Sequence, residues 1–333
     1  MRKLLILMLP VLMLALFLVP LNPTLVQGAN PLTACQDFAF STEEDFITQG
    51  PEPPDGNPII SDGDLLSRTG AVCMRNAQLV QQFDVTQDMG LDAVDVLDLE
   101  TELVAFSTEL NSPYGNFKHG DLLTTGGAVI PNQVLLTIFQ VSGDRGLDGV
   151  HFTGTLKNIV SFAQYAATIS RANWLSNPDM LVTELQRYNV DIWFSIEGTE
   201  LTASTVPILD GDLLSAATGT VIAGNTLLLP AGVPAGIPTR GVDFGLDGVT
   251  AERSGSRTET RFSTEILYHG QGAFTDGDIL KIGNGVVISD STLYSPFEPK
   301  ADFLGTDALF IRLDQQPINL LPLILNRFRG VLQ

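Results

Sequence analysis

The chain has 333 residues, with 38 acidic side chains against 18 basic ones and a formal charge of −20. A surface that acidic repels nucleic acid and anionic lipid, because both are bound through Lys and Arg that neutralise phosphate. It suits a solvated extracellular protein or one that holds divalent cations, and the three histidines and two cysteines show no zinc-ligand spacing.

In chain order, Arg2 and Lys3 precede an apolar run from Leu4 to Val19 and a polar stretch ending at Gly28. That pattern predicts a secretory signal over residues 1–28, cleaved near Gly28-Ala29, with an uncleaved anchor as the alternative. Its loss removes two positive charges and takes the net charge from −20 to −22. Cys35 and Cys73 are then the only cysteines, and in an oxidising compartment one disulfide is the simplest reading. Closing a loop of that span is worth about 4 kcal/mol.

Three phrases recur four times in the same order. The first is Phe40 to Glu43, Phe106 to Glu109, Phe194 to Glu197 and Phe262 to Glu265, each Phe-Ser-Thr-Glu except for Ile196. The second is Gly63 to Leu66, Gly120 to Leu123, Gly211 to Leu214 and Gly277 to Leu280. The third is Gly90 to Val94, Gly146 to Val150, Gly245 to Val249 and the looser Gly305 to Leu309. A repeat of this length marks a unit that buries its apolar face only by stacking on its neighbours.

The second repeat shows the unit most clearly. Leu103 to Glu109 alternates like a half-buried strand, Asn111 to Asn116 is a loop of turn formers, and Asp121 to Thr124 begins a short strand that Gly126-Gly127 breaks. Ala128 to Ile130 and Val134 to Phe139 read as further apolar strands around a tight turn at Pro131-Asn132. Asn76, Asn132 and Asn225, with Asp290-Ser291 in the fourth repeat, are expected to make that reversal in the left-handed conformation. The third phrase runs into the next first phrase as a hairpin, as in Ala93 to Leu97 and Leu103 to Thr108. The ends of the domain are the two halves of such a hairpin, Asp37 to Thr42 and Asp307 to Leu313.

The expected fold is therefore all-β. It is a closed, β-propeller-like ring over residues 33–315, with repeats at about 36–97, 103–155, 190–252 and 258–314, and its first and last strands pair to leave no bare edge. The alternative is two β-sandwich or barrel domains. Residues 156–189 are either an inserted helix, opened by Ser176 to Asp179, or a decayed fifth repeat in which Phe162 and Pro178 to Leu181 echo the phrases. In the apolar tail 316–333, the stretch Ile318 to Leu325 is too short to span a bilayer and contains a proline; the tail is expected to be a strap packed on the domain, a segment attaching to a membrane or cell surface, or a frayed end.

The recurring acids are the best chemical constellation. Each repeat carries a Glu in the first phrase and an Asp in the third (Asp92, Asp148, Asp247, Asp307). The second phrase places Asp62 and Asp64, Asp121, Asp210 and Asp212, and Asp276 and Asp278 around a glycine, with His119 at the odd position. Carboxylates two apart beside turn carbonyls are hard-oxygen ligands for calcium, and these seven aspartates are the candidate ligands. The same pattern also reads as plain turn chemistry, and no stretch matches an EF-hand loop. Nucleophile-elbow, His-Glu-x-x-His and phosphate-loop motifs do not occur.

Phe106-Ser-Thr-Glu109, Gly120-Asp-Leu-Leu123 and Gly90-Leu-Asp-Ala-Val94 resemble repeats of secreted bacterial proteins without an assigned activity, over most of residues 36–313. The resemblance implies an extracellular repeat protein and no chemistry. The expectation is a secreted, non-enzymatic binding or structural protein that meets a glycan, cell-wall polymer or protein, with calcium as its one candidate cofactor. The alternative is an extracellular carbohydrate-active hydrolase using a carboxylate pair, placed near Trp174 and Trp193.

Overall fold

The computed structural model describes residues 31–200, 207–254, 257–301 and 303–312. The proposed leader and the apolar tail lie outside the described residues. The chain opens with β1 (Phe38–Thr42), a short pair β2 (Phe46–Ile47) and β3 (Ile59–Ile60), β4 (Leu65–Ser67), β5 (Ala71–Met74) and a one-turn helix α1 (Asn76–Leu79). It continues with β6 (Val94–Asp98), β7 (Leu103–Phe106), β8 (Leu122–Thr124), β9 (Val129–Ile130) and helix α2 (Asn132–Leu135). Next come β10 (Val150–Thr153), helices α3 (Leu156–Ala166), α4 (Arg171–Ser176) and α5 (Met180–Tyr188), β11 (Asp191–Phe194), β12 (Leu213–Ser215), β13 (Thr220–Ala223) and α6 (Asn225–Leu228). The described chain ends with β14 (Val249–Ser254), β15 (Arg257–Phe262), β16 (Ile279–Lys281), β17 (Gly285–Ile288), α7 (Asp290–Tyr294) and β18 (Thr306–Ile311).

The fold is mostly β. Besides the β2–β3 pair, the described strands make four antiparallel sheets in the orders β18-β1-β4-β5, β6-β7-β8-β9, β10-β11-β12-β13 and β14-β15-β16-β17. The third phrase opens the first strand of each sheet and the first phrase closes the second. Each sheet therefore joins the end of one sequence repeat to the start of the next. The first sheet obeys the same rule only because β18 pairs with β1, Phe38 facing Ile311 and Phe40 facing Leu309. The hairpins turn where the chain supplies the conformation: Asp98 accepts from the Glu100 N–H and the Thr101 hydroxyl before β7, and Gly127 takes φ +88° between β8 and β9.

Both residues of each Leu-Leu pair are buried, and they serve different clusters. Leu65 packs with Val94, Val104 and Phe106 of the second sheet, whereas Leu66 packs with Ile279 of the fourth. Leu122 and Leu214 share the cluster between the second and third sheets, and Leu213 and Leu280 the one between the third and fourth. A strand flanked by sheets on both faces reads as continuously apolar, which is why this phrase does not alternate. The first strands of the sheets are neighbours as well: β6 lies against β10 and β18, and β14 against the same two. Close approach explains the small residue after each third-phrase Asp. A Cβ on Gly149 would sit 2.5 Å from the Asp247 carbonyl oxygen, and one on Gly248 2.3 Å from Leu309 Cβ.

Two local expectations are corrected, and of the two readings of residues 156–189 the helical one matches the fold. The apolar run after each Asn is not a strand: Val134 and Leu135 lie in α2, and Thr137–Phe139 is a 3-10 turn. Asn76, Asn132 and Asn225 are accordingly not left-handed; each is the first helical residue, buried, with its side chain in hydrogen bonds. Asn76 Nδ2 donates to the Gly63 and Gly90 carbonyls while its Oδ1 accepts from the Met89 N–H. Residues 156–189 fold as α3, α4 and α5, with no strand of a fifth repeat there among the described residues. These helices lay Phe162, Trp174, Leu181 and Leu185 on the cluster between the second and third sheets, and Arg171 pairs with Asp121.

Cys35 and Cys73 form the expected disulfide, Cα to Cα 6.0 Å, tying the turn ahead of β1 to β5. No helix among the described residues is long and apolar enough to cross a membrane.

Candidate functional site: a carboxylate well

Asp92, Asp148, Asp247 and Asp307 stand at the start of the four first strands and converge on one cavity of about 330 Å³. The other residues lining it are Glu43, Glu109, Glu197 and Glu265, so every lining side chain is a carboxylate. The four aspartates are buried and form the floor; the four glutamates keep an edge to solvent and form the rim.

Each phrase has a part in building this well. The rim glutamates lie against the third-phrase glycines, where a Cβ on Gly90, Gly146, Gly245 or Gly305 would meet the carboxyl carbon of Glu109, Glu197, Glu265 or Glu43 at 2.6 Å or less. The first-phrase serines link neighbouring sheets: Ser41, Ser107 and Ser195 donate to the carbonyls of Leu91, Leu147 and Leu246 at 2.8, 2.6 and 2.5 Å. Beneath, Leu91, Leu147 and Leu246 anchor the aspartates in the apolar core; in the fourth repeat Thr306 takes that place and meets the Tyr294 hydroxyl.

No basic residue lines the floor. Burial raises Asp92, Asp148, Asp247 and Asp307 well above the ordinary carboxylate range, and the surrounding acids push the same way. Loss of water lifts Glu43 to about 7, with Asp276 and Glu44 adding repulsion, and lifts Glu109 to about 7, with Asp62 and Asp88 adding to it. Several oxygens in this region have no partner: Asp92 Oδ2, both oxygens of Asp148, Asp210 Oδ1 and Asp247 Oδ2. Buried carboxylate oxygens without donors are costly, and either protonation or a bound cation relieves that cost.

The aspartates singled out from the sequence divide into two groups. Asp64, Asp121, Asp212 and Asp278 are not among the residues lining the cavity and accept backbone N–H groups three residues upstream, from Ser61, Lys118, Leu209 and Thr275. In three of them the other oxygen receives the first N–H of α1, α6 or α7, from Asn76, Asn225 or Asp290. Asp62, Asp210 and Asp276 instead border the rim beside Glu109, Glu265 and Glu43. His119 occupies the matching place, with Nδ1 3.4 Å from Glu197 Oε1. The floor aspartates were visible as a recurrent charge inside an apolar run, but nothing local says that the four meet.

A second cavity, about 350 Å³, opens at the other end of the same strands, lined by Asp95, His151, Phe152, Trp193 and Phe310 among others. Trp193 Nε1 donates to Asp191, and Trp174 is fully buried in the core; neither tryptophan lines the well.

The chain matches no model of a known protein family, and comparison with curated proteins and with solved structures returns no significant match. Fold and site together define an all-β protein of four repeated sheets with a buried well of carboxylates.

Proposed function

We propose that the four sheets are the blades of one closed ring, and that the protein is a secreted, non-enzymatic binding or structural protein whose axial well holds calcium. The ring reading is supported by the β1–β18 register, by an apolar cluster at each of the four sheet junctions and by the mutual contacts of the first strands. The disulfide is in keeping with an oxidising compartment. Calcium takes six to eight oxygen ligands and tolerates irregular geometry, which suits carboxylates completed by water. The observation that carries the reading is Asp148, 3 % exposed, lining the well with both oxygens unpartnered. Leu110, Ile266 and Leu267, exposed directly after the rim glutamates, give the mouth an apolar border that an extracellular glycan or protein partner can meet.

The test is a thermal melt of the chelator-treated protein across a calcium titration. At a hundredfold excess over Kd the native state gains about 2.7 kcal/mol. For a chain of this size that is a rise of about 4 °C. A melt unchanged by calcium would overturn the calcium reading.

A further inference from the structure

We propose that the well binds two divalent cations as a pair, bridged by the carboxylate of Asp148. This rests on the reading of the well as a cation site. Two triads of carboxylates have ligand atoms within 4.8 Å of one another: Asp92, Asp148 and Glu197, and Asp148, Asp210 and Glu265. That spacing is about twice a calcium–oxygen distance of roughly 2.4 Å, so each triad can converge on one ion. Asp148 belongs to both.

A carboxylate serves two ions when it has an oxygen for each. Both Asp148 oxygens are buried without a donor, and the outer members Asp92 and Asp210 each keep a free buried oxygen of their own. Charge favours the pair over a single ion. The five triad carboxylates carry −5 when ionised; one divalent cation leaves −3 on that set and two leave −1, with Glu43, Glu109, Asp247 and Asp307 adding further negative charge around it. Asp210 and Glu265 lie close enough to hydrogen-bond to each other in the absence of metal.

Asp247 and Asp307 complete the floor, but neither belongs to such a triad among the described residues. The pair is therefore expected on the side of the second, third and fourth sheets, where His119 stands beside Glu197 in place of a further acid.

The experiment is equilibrium dialysis against calcium alone, with bound metal counted per chain, on the wild type, Asp148→Asn, Glu197→Gln and Glu265→Gln. Two calcium ions per wild-type chain are expected. Glu197→Gln and Glu265→Gln should each weaken one site at least tenfold and leave a single tight ion, while Asp148→Asn should weaken both. The rim variants replace solvent-edged side chains and keep the test meaningful if Asp148→Asn misfolds. One ion per wild-type chain, or an Asp148→Asn protein that folds and still holds two, would overturn the bridged pair and leave a mononuclear site standing. No bound calcium would overturn both readings.

Discussion

Replacing Gly149 by Ala tests the close approach of the first strands. The added Cβ would lie 2.5 Å from the Asp247 carbonyl oxygen, 2.6 Å from Ser195 Oγ and 2.9 Å from Val249 Cγ1. None of these is the loose end of a flexible side chain. Overpacking of this kind costs about 1–3 kcal/mol. Ser195 also donates to the Leu246 carbonyl, and displacing it forfeits roughly 1 kcal/mol more. The expected loss is about 2–4 kcal/mol, read as a urea midpoint lower by about 1 M for a slope near 3 kcal/mol per M. Gly198→Ala is the control, since nothing lies within 4 Å of its added Cβ, and it should change stability by no more than about 0.5 kcal/mol. Equal midpoints for the two variants would refute the packing argument.

The raised carboxyls give the apo protein a definite pH dependence. Asp62 is lifted to about 6, by burial first and by Asp88 and Asp45 next, while Glu43 and Glu109 reach about 7. A raised folded-state pKa contributes stability that is complete below the unfolded value near 4 and is lost as pH rises through 6–7. In chelator the melting temperature should therefore be higher at pH 5 than at pH 8, and the reverse order would refute the assignment. Asn76→Ala removes two donor contacts and one acceptor contact from a buried corner; about 2–4 kcal/mol should be lost in chemical denaturation, and a loss under 0.5 kcal/mol would contradict the described bonding. Cys73→Ser opens a crosslink spanning 38 residues and should cost about 3–4 kcal/mol. Reductant should lower the wild type to the variant's level and leave the variant unchanged.

The hairpins were legible because alternation and turn residues are local properties. Asp98 and Thr101 announce the β6–β7 turn, and the recurrence of each phrase told one sheet's worth of strands from its surroundings. The helices were harder to read. Val134 and Leu135 are apolar enough for a strand, and only the hydrogen bonds of Asn132 to the Gly146 carbonyl and the Arg145 N–H show why a helical turn starts there. The same limit separated the two aspartates of the second phrase in the first, third and fourth repeats. Two apart around a glycine they look equivalent, yet Asp212 is held by backbone N–H groups while Asp210 reaches Glu265. The well was least legible, since its floor joins Asp92, Asp148, Asp247 and Asp307 from segments far apart in the chain. Tertiary convergence of this kind has no short-range signature.

The pairing of β1 with β18 also orders events in time. When the chain emerges amino end first, β1, β4 and β5 are present long before Thr306 to Ile311 has been made. Until then β1 keeps an unpaired edge, a template for joining the wrong strand or another nascent chain. The second, third and fourth sheets are each contiguous in sequence and can assemble as they appear. The sheet that begins with β1 is thus the last to be finished, and a product arrested anywhere before Thr306 carries that open edge.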